Sequence, residues 1–83
     1  MNSDYLCEIK GFETTLASIK DFSGKLENDG ITIYVCKNPW FRFEAPSKYD
    51  KKSLIEIIKN ALGNKGIDVT FHDVDTLDFI QKK

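Results

Sequence analysis

The clearest pattern of apolar and polar positions lies between residues 31 and 63. Two runs, ITIYVC and FRFEA, alternate apolar with polar residues as half-buried strands do, and DKKSLIEIIKNALG spaces its apolar residues as an amphipathic helix does. Pro39 separates the two strands because it cannot donate a backbone hydrogen bond. Asp50 is a suitable cap for the start of the helix, and Gly63 is suited to end it. The pattern therefore predicts a β-β-α unit.

A second helix is predicted before this unit. Residues 15–26 gather their apolar side chains into one arc at helical spacing, and Thr14 or Thr15 is a suitable N-cap. Glycine inside a helix costs about 1 kcal/mol relative to alanine. Gly24 therefore leaves open a shorter helix that ends near Phe22.

Two further strands complete the pattern. Residues 4–10 and residues 67–72 both alternate apolar with polar positions, which predicts one strand at each end of the chain. A short terminal segment at 76–80 is predicted to pack against an edge of the core. The element order is thus β-α-β-β-α-β.

This order is that of the split-βαβ or ferredoxin-like arrangement. It predicts one α+β domain over residues 1–83, a two-layer sandwich in which both helices cover one face of a four-stranded antiparallel sheet. The other face of the sheet is predicted to be open. A chain of 83 residues is long enough to fold alone around one small core.

The faces of the central hairpin follow from the cost of burying charge. A hairpin loop with an even number of residues would place Arg42 and Glu44 on the same face as Ile33. Burying an unpaired charge costs several kcal/mol. An odd loop, such as residues 38–40, avoids that cost and places Trp40 at the hairpin tip. The predicted inward set is Ile31, Ile33, Val35, Phe41, Phe43 and Ala45. The predicted outward set is Thr32, Tyr34, Cys36, Arg42 and Glu44.

Composition excludes some classes of function. The formal net charge is −1, so the overall field favours neither a polyanion nor a membrane surface. The acidic start of the chain and the lack of a long apolar run predict a cytoplasmic protein with no membrane segment. Cys7 and Cys36 lie too far apart for a paired metal motif, and His72 is the only histidine. We expect free thiols in or near a reduced core, and no metal or other cofactor.

The residues with the strongest potential for binding lie on the predicted outward face. Tyr, Trp and Arg are the residue types most enriched at interface hot spots. We therefore predict a partner-binding surface, and its members are Trp40, Tyr34, Arg42, Thr32 and Glu44. The alternative is a solvated sheet face with Trp40 folded back over the core.

No catalytic motif is evident, so the leading interpretation is a small non-enzymatic protein-interaction module. It would act as a regulator, an inhibitor or an accessory subunit of a larger protein, and would bind through the open sheet face or a sheet edge. Self-association as a homodimer is a further possibility for the same reason. Nucleic acid and membrane are not the expected partners.

Two alternatives stay open. The segment KNPWFRFEA distantly resembles the basic-Gly-aromatic strand of RNA-recognition domains, which would imply a single-stranded nucleic-acid-binding domain. The segment lacks the glycines, and the predicted register buries Phe41 and Phe43. The second alternative is a small hydrolase for an anionic substrate, with Asn38 and Arg42 as the only nearby pair suited to hold an anion.

Overall fold

A computed structural model of the chain describes residues 1–63 and 66–73. Its elements are β1 (Asn2–Lys10), α1 (Leu16–Glu27), β2 (Thr32–Lys37), β3 (Trp40–Pro46), α2 (Lys51–Ala61) and β4 (Asp68–His72). The order of elements is the predicted one, and the α+β class is confirmed. The predicted terminal segment at 76–80 lies outside the described residues.

The four strands form one antiparallel sheet in the order β2-β3-β1-β4. β3 and β1 are therefore central, and β2 and β4 are the edges. Both helices cover the same face, because their fully buried side chains belong to a single core together with residues of the sheet. These core side chains are Phe22, Leu26, Leu54 and Ile58 from the helices, with Cys7, Ile9, Ile31, Phe41, Phe43, Ala45 and Ile67. We call the helix-covered side of the sheet the inner face, and the opposite side the outer face.

Local hydrogen bonds fix where the helices begin. The Thr15 side chain accepts from the backbone N–H of Ser18 at 3.1 Å, and the Ser18 hydroxyl accepts from the backbone N–H of Thr15 at 2.8 Å. α1 does not end near Phe22, because Leu26 in its last turn is fully buried and holds that turn on the sheet. Asp50 caps α2 by accepting from the backbone N–H of Ser53 at 2.7 Å. Neither of the helices that the structure describes is long and apolar enough to cross a membrane.

The loop of the central hairpin differs from the predicted one, although β3 has the predicted inner face. Its loop is even, because Lys37 pairs with Trp40 and only residues 38 and 39 lie between the strands. The predicted odd loop is therefore wrong, and Trp40 opens β3 instead of standing at the tip. Farther along, the pairing shifts by one residue, so that a β-bulge replaces the extra loop residue.

The bulge lies at Tyr34 and divides β2 into two parts. Before the bulge Ile33 pairs with Phe43, and the prediction that both point inward is confirmed. After it Val35 pairs with Arg42, so Val35 lies on the outer face. Cys36 pairs with Phe41 on the inner face, where it is exposed at the edge of the sheet. The predicted faces of Val35 and Cys36 are therefore wrong, because each added residue reverses the alternation that follows it.

We expect Phe43→Ala to destabilise the protein by about 3–5 kcal/mol, the range for emptying a packed aromatic site. Phe43 is 1% exposed, and its ring centroid lies 5.6 Å from that of Tyr5 and 6.3 Å from that of Phe71. Urea unfolding at equilibrium measures the change. Leu16→Ala is the control, because Leu16 is 77% exposed and should shift the free energy of unfolding by less than about 0.5 kcal/mol. Equal effects of the two substitutions would contradict the inward register of β3.

Candidate functional site

The outer face carries alternate residues of all four strands. The register assigns to it Thr32, Val35 and Lys37 of β2, Trp40, Arg42 and Glu44 of β3, Asp4, Leu6, Glu8 and Lys10 of β1, and Asp68, Thr70 and His72 of β4. Tyr34 also lies on this side, because its hydroxyl reaches Asp4. The structure thus brings the five residues predicted from sequence to one face.

Asp4 joins two of the predicted residues across three strands. The Tyr34 hydroxyl donates a hydrogen bond to Asp4 Oδ1, and Arg42 Nη2 donates to Asp4 Oδ2 at 3.2 Å. The Arg42 guanidinium carbon also lies 5.7 Å from the centre of the Tyr34 ring, within range of a cation–π contact. We call Asp4, Tyr34 and Arg42 the Asp4 cluster. It fixes the orientation of the Tyr34 and Arg42 side chains.

The protonation of the cluster reflects these contacts. The Tyr34 hydrogen bond, and then Arg42, hold the pKa of Asp4 below its usual value of 3.8. Partial burial, and then the Asp4 carboxylate, raise the pKa of the Tyr34 hydroxyl above its usual value of 10.0. At neutral pH the cluster is therefore a carboxylate that accepts from a neutral phenol and a guanidinium.

Glu8 organises the other half of the outer face. Its Oε1 lies 3.2 Å from His72 Nε2, and its Oε2 lies 3.7 Å from Lys10 Nζ. The His72 ring packs edge-on against Trp40, with 4.9 Å between the ring centroids. Trp40 is half-buried as a result, so it neither extends into solvent nor folds into the core under the helices.

The remaining two predicted residues lie toward one margin of the face. Asn2 Nδ2 donates to Glu44 Oε1 at 2.7 Å. Thr32 pairs with Glu44 across the β2–β3 ladder and is exposed. These two residues therefore border the Asp4 cluster and carry no aromatic or apolar bulk of their own.

The centre of the outer face is desolvated. Leu6 lies between Arg42 and His72 in the register, and it is 0% exposed although neither of the two described helices covers its face. The Arg42 Nε atom is also buried, and no described residue accepts its hydrogen. A plain solvated sheet face would leave a central leucine in contact with water. Leu6 is instead a buried apolar position between two polar ones in the register.

Neither cysteine has the properties of a reactive thiol. Burial raises the pKa of the Cys7 thiol to about 12, and burial also raises that of Cys36. Both thiols therefore stay protonated at neutral pH, whereas a nucleophilic cysteine needs a lowered pKa. Within residues 1–63 and 66–73, no group of three or more His, Cys, Asp or Glu side chains is placed to hold a metal ion.

Two features of the site were not predicted from the sequence. Asp4 was not among the binding candidates, although it holds two of them, and the contact between Trp40 and His72 was not foreseen. Asp4 could have been found by extending the alternation of β1 one step back from Leu6. The partner of Trp40 could not, because it depends on the order of the strands.

We expect Asp4→Asn to be less stable than the natural protein at neutral pH. The lowered pKa of Asp4 means that its contribution is present above its usual pKa of 3.8 and is lost as the pH falls through the folded value below that. Urea unfolding of both proteins, from neutral pH down to below the lowered pKa of Asp4, measures this contribution. The two free energies of unfolding should converge at low pH.

The matched control is Asp21→Asn, which removes an exposed pair with Lys25 at 3.1 Å inside α1. Such helix pairs contribute about 0.3–0.5 kcal/mol, so we expect a small effect at neutral pH. A difference between Asp4→Asn and the natural protein that persists unchanged to the lowest pH would rule out the carboxylate as its source.

Comparison with known proteins gives no assignment. No protein-family model matches the chain, and no curated protein or solved structure matches it at a significant level. The evidence on function is therefore the geometry of the outer face.

Proposed function

We propose that the protein is a small non-enzymatic interaction module that binds a larger cytoplasmic protein through its outer face, as a regulator, an inhibitor or an accessory subunit. The Asp4 cluster is the observation that carries this proposal. It presents Tyr34 and Arg42 in fixed orientations beside Trp40, which packs on His72. Tyr, Trp and Arg are the residue types that dominate binding energy at protein interfaces.

Fixed side chains favour tight binding because less conformational freedom is lost on association. Immobilising a flexible side chain at an interface costs about 0.5–1.5 kcal/mol. Tyr34 is 47% exposed, yet its hydroxyl is already held by Asp4. Arg42 is held by the same carboxylate, so two anchors are ordered before the partner binds.

The charges of the outer face favour a protein over a nucleic acid. Asp4 compensates Arg42, and Glu8 lies beside both Lys10 and His72. Binding to phosphates depends on cations that are free to replace the counterions of the backbone. Phe41 and Phe43, which the RNA-recognition alternative requires on the surface, are each 1% exposed.

The ion pair between Asp4 and Arg42 also bears on the hydrolase alternative. An anionic substrate at Arg42 would compete with the Asp4 carboxylate, which is part of the same sheet and 3.2 Å from Nη2. Anion-binding catalytic sites present donors that are aimed at a developing charge and not already satisfied by a fixed one. These contacts favour a binding surface over a catalytic one.

The test is capture of partners from a lysate of the native host, with a nuclease-treated lysate in parallel and identification of captured proteins by mass spectrometry. We expect Trp40→Ala and Arg42→Ala to weaken capture by at least about tenfold, as truncation of hot-spot residues does. The melting temperature of both variants should fall much less than that of Phe43→Ala. Leu16→Ala is the control, because it removes an exposed leucine from α1 and should leave capture unchanged.

Two results would contradict the proposal. Undiminished capture by both variants would move the binding site off the outer face. A captured nucleic acid whose affinity falls steeply with salt would favour the nucleic-acid alternative, because phosphate neutralisation has that signature and an aromatic-centred protein contact does not.

A further inference from the structure

The two edges of the sheet differ in regularity. The β2 edge is interrupted by the bulge at Tyr34 and ends in Lys37, and both features discourage the addition of another strand. β4 pairs with β1 without a break along its five residues, DVTFH, which include no proline or lysine. Of the two edges that the structure describes, β4 is the one suited to strand addition.

The hydrogen bonds of β1 show which residues of β4 point their backbone N–H and C=O groups away from β1. The Ile9 N–H donates to the Pro39 carbonyl at 2.8 Å, on the side of β1 that faces β3. Successive residues of a strand direct their backbone groups to opposite neighbours, so Glu8 and its alternates face β4. Thr70, which pairs with Glu8, therefore directs its backbone groups to β1. Val69 and Phe71 direct their N–H and C=O groups to the outer edge.

We propose that the outer edge of β4 pairs antiparallel with β4 of a second copy of this chain, about a two-fold axis at Thr70. In this register Val69 of one copy lies opposite Phe71 of the other, and the reciprocal pair is equivalent. Each of these pairs exchanges two backbone hydrogen bonds, because both residues direct their groups outward. The two sheets then become one continuous sheet.

The side chains of β4 are complementary to themselves in this register. Asp68 of one copy lies opposite His72 of the other on the outer face, which places a carboxylate beside an imidazole. Val69 and Phe71 meet on the inner face, and both are only half-buried in the single chain. A carboxylate can accept a hydrogen bond from an imidazole N–H, and a pair of an aromatic with a β-branched residue is favourable across antiparallel strands. A partner of the same sequence is therefore compatible with the edge at both kinds of pair.

This inference does not depend on the proposed outer-face partner. The edge of β4 and the Asp4 cluster are different surfaces, and Thr70, at the proposed axis, is not a member of that cluster. His72 contacts Trp40 on the outer face and also lies in the proposed dimer pair, so Thr70 is the residue substituted in the tests. Loss of self-association would leave partner capture to be tested separately with Trp40→Ala.

A disulfide at the axis tests the register directly. Residues at a non-hydrogen-bonded antiparallel pair have Cα atoms about 4.5 Å apart, within the range of about 4.4–6.8 Å that a disulfide spans. In a Cys36→Ser background, Thr70→Cys should form a covalent dimer under mild oxidation, seen on a non-reducing gel. Thr32→Cys is the matched control, since Thr32 is an exposed threonine on the other edge strand.

Sedimentation equilibrium from micromolar to millimolar concentration gives an independent measure. We expect the natural 83-residue chain to pass from monomer to dimer. Thr70→Lys should raise the dimer dissociation constant by at least about tenfold because it places two ammonium groups opposite each other at the axis. Thr32→Lys should leave the constant unchanged, with circular dichroism confirming that both variants fold.

The proposal is overturned by either of two results. The first is a natural chain that stays monomeric up to millimolar concentration. The second is a Thr70→Cys variant that crosslinks no faster than Thr32→Cys.

Discussion

The burial of Phe41 and Phe43 beneath the two helices is the constraint on which the rest of the sheet depends. With these rings on the inner face, strand geometry sends Trp40, Arg42 and Glu44 to the other side. β3 is a central strand, so its outward residues have neighbours on both flanks. Arg42 therefore meets Tyr34 from β2 and Asp4 from β1 at once. The same pairing that builds the core builds the surface proposed to bind.

The cost of burying charge predicted the right faces for β3 but not the right hairpin. That cost requires one extra residue between Ile33 and Phe43, and it does not say where the residue goes. A three-residue loop and a two-residue loop with a bulge satisfy it equally. The protein uses the bulge, which moves Val35 and Lys37 to the outer face and Cys36 to the inner face. Val35 and Cys36 are uncharged, and Lys37 adjoins the loop and is exposed, so the cost of burying charge did not distinguish the two arrangements.

The helices, the strands and the face that carries the binding candidates were predictable because each has a local signal in spacing or residue type. Tyr34 and Arg42 could be placed on one face from the alternation of a single hairpin. Their link through Asp4 required knowing that β1 lies beside β3, and the contact of Trp40 with His72 required β4 beside β1. Those facts belong to the order of strands in space. A single sequence records the alternation of each strand but not which strands are neighbours.

The bulge at Tyr34 also limits how large an assembly of this chain can become. A sheet with two regular edges adds copies at both and propagates into a fibre. In this sheet a copy joined at β4 presents β2 at each far end, where the bulge interrupts the row of free backbone groups. In the proposed assembly, growth by strand addition would therefore terminate at two chains. The bulge at Tyr34 thus bears both on the surface proposed to bind and on the edge that the proposed dimer leaves exposed.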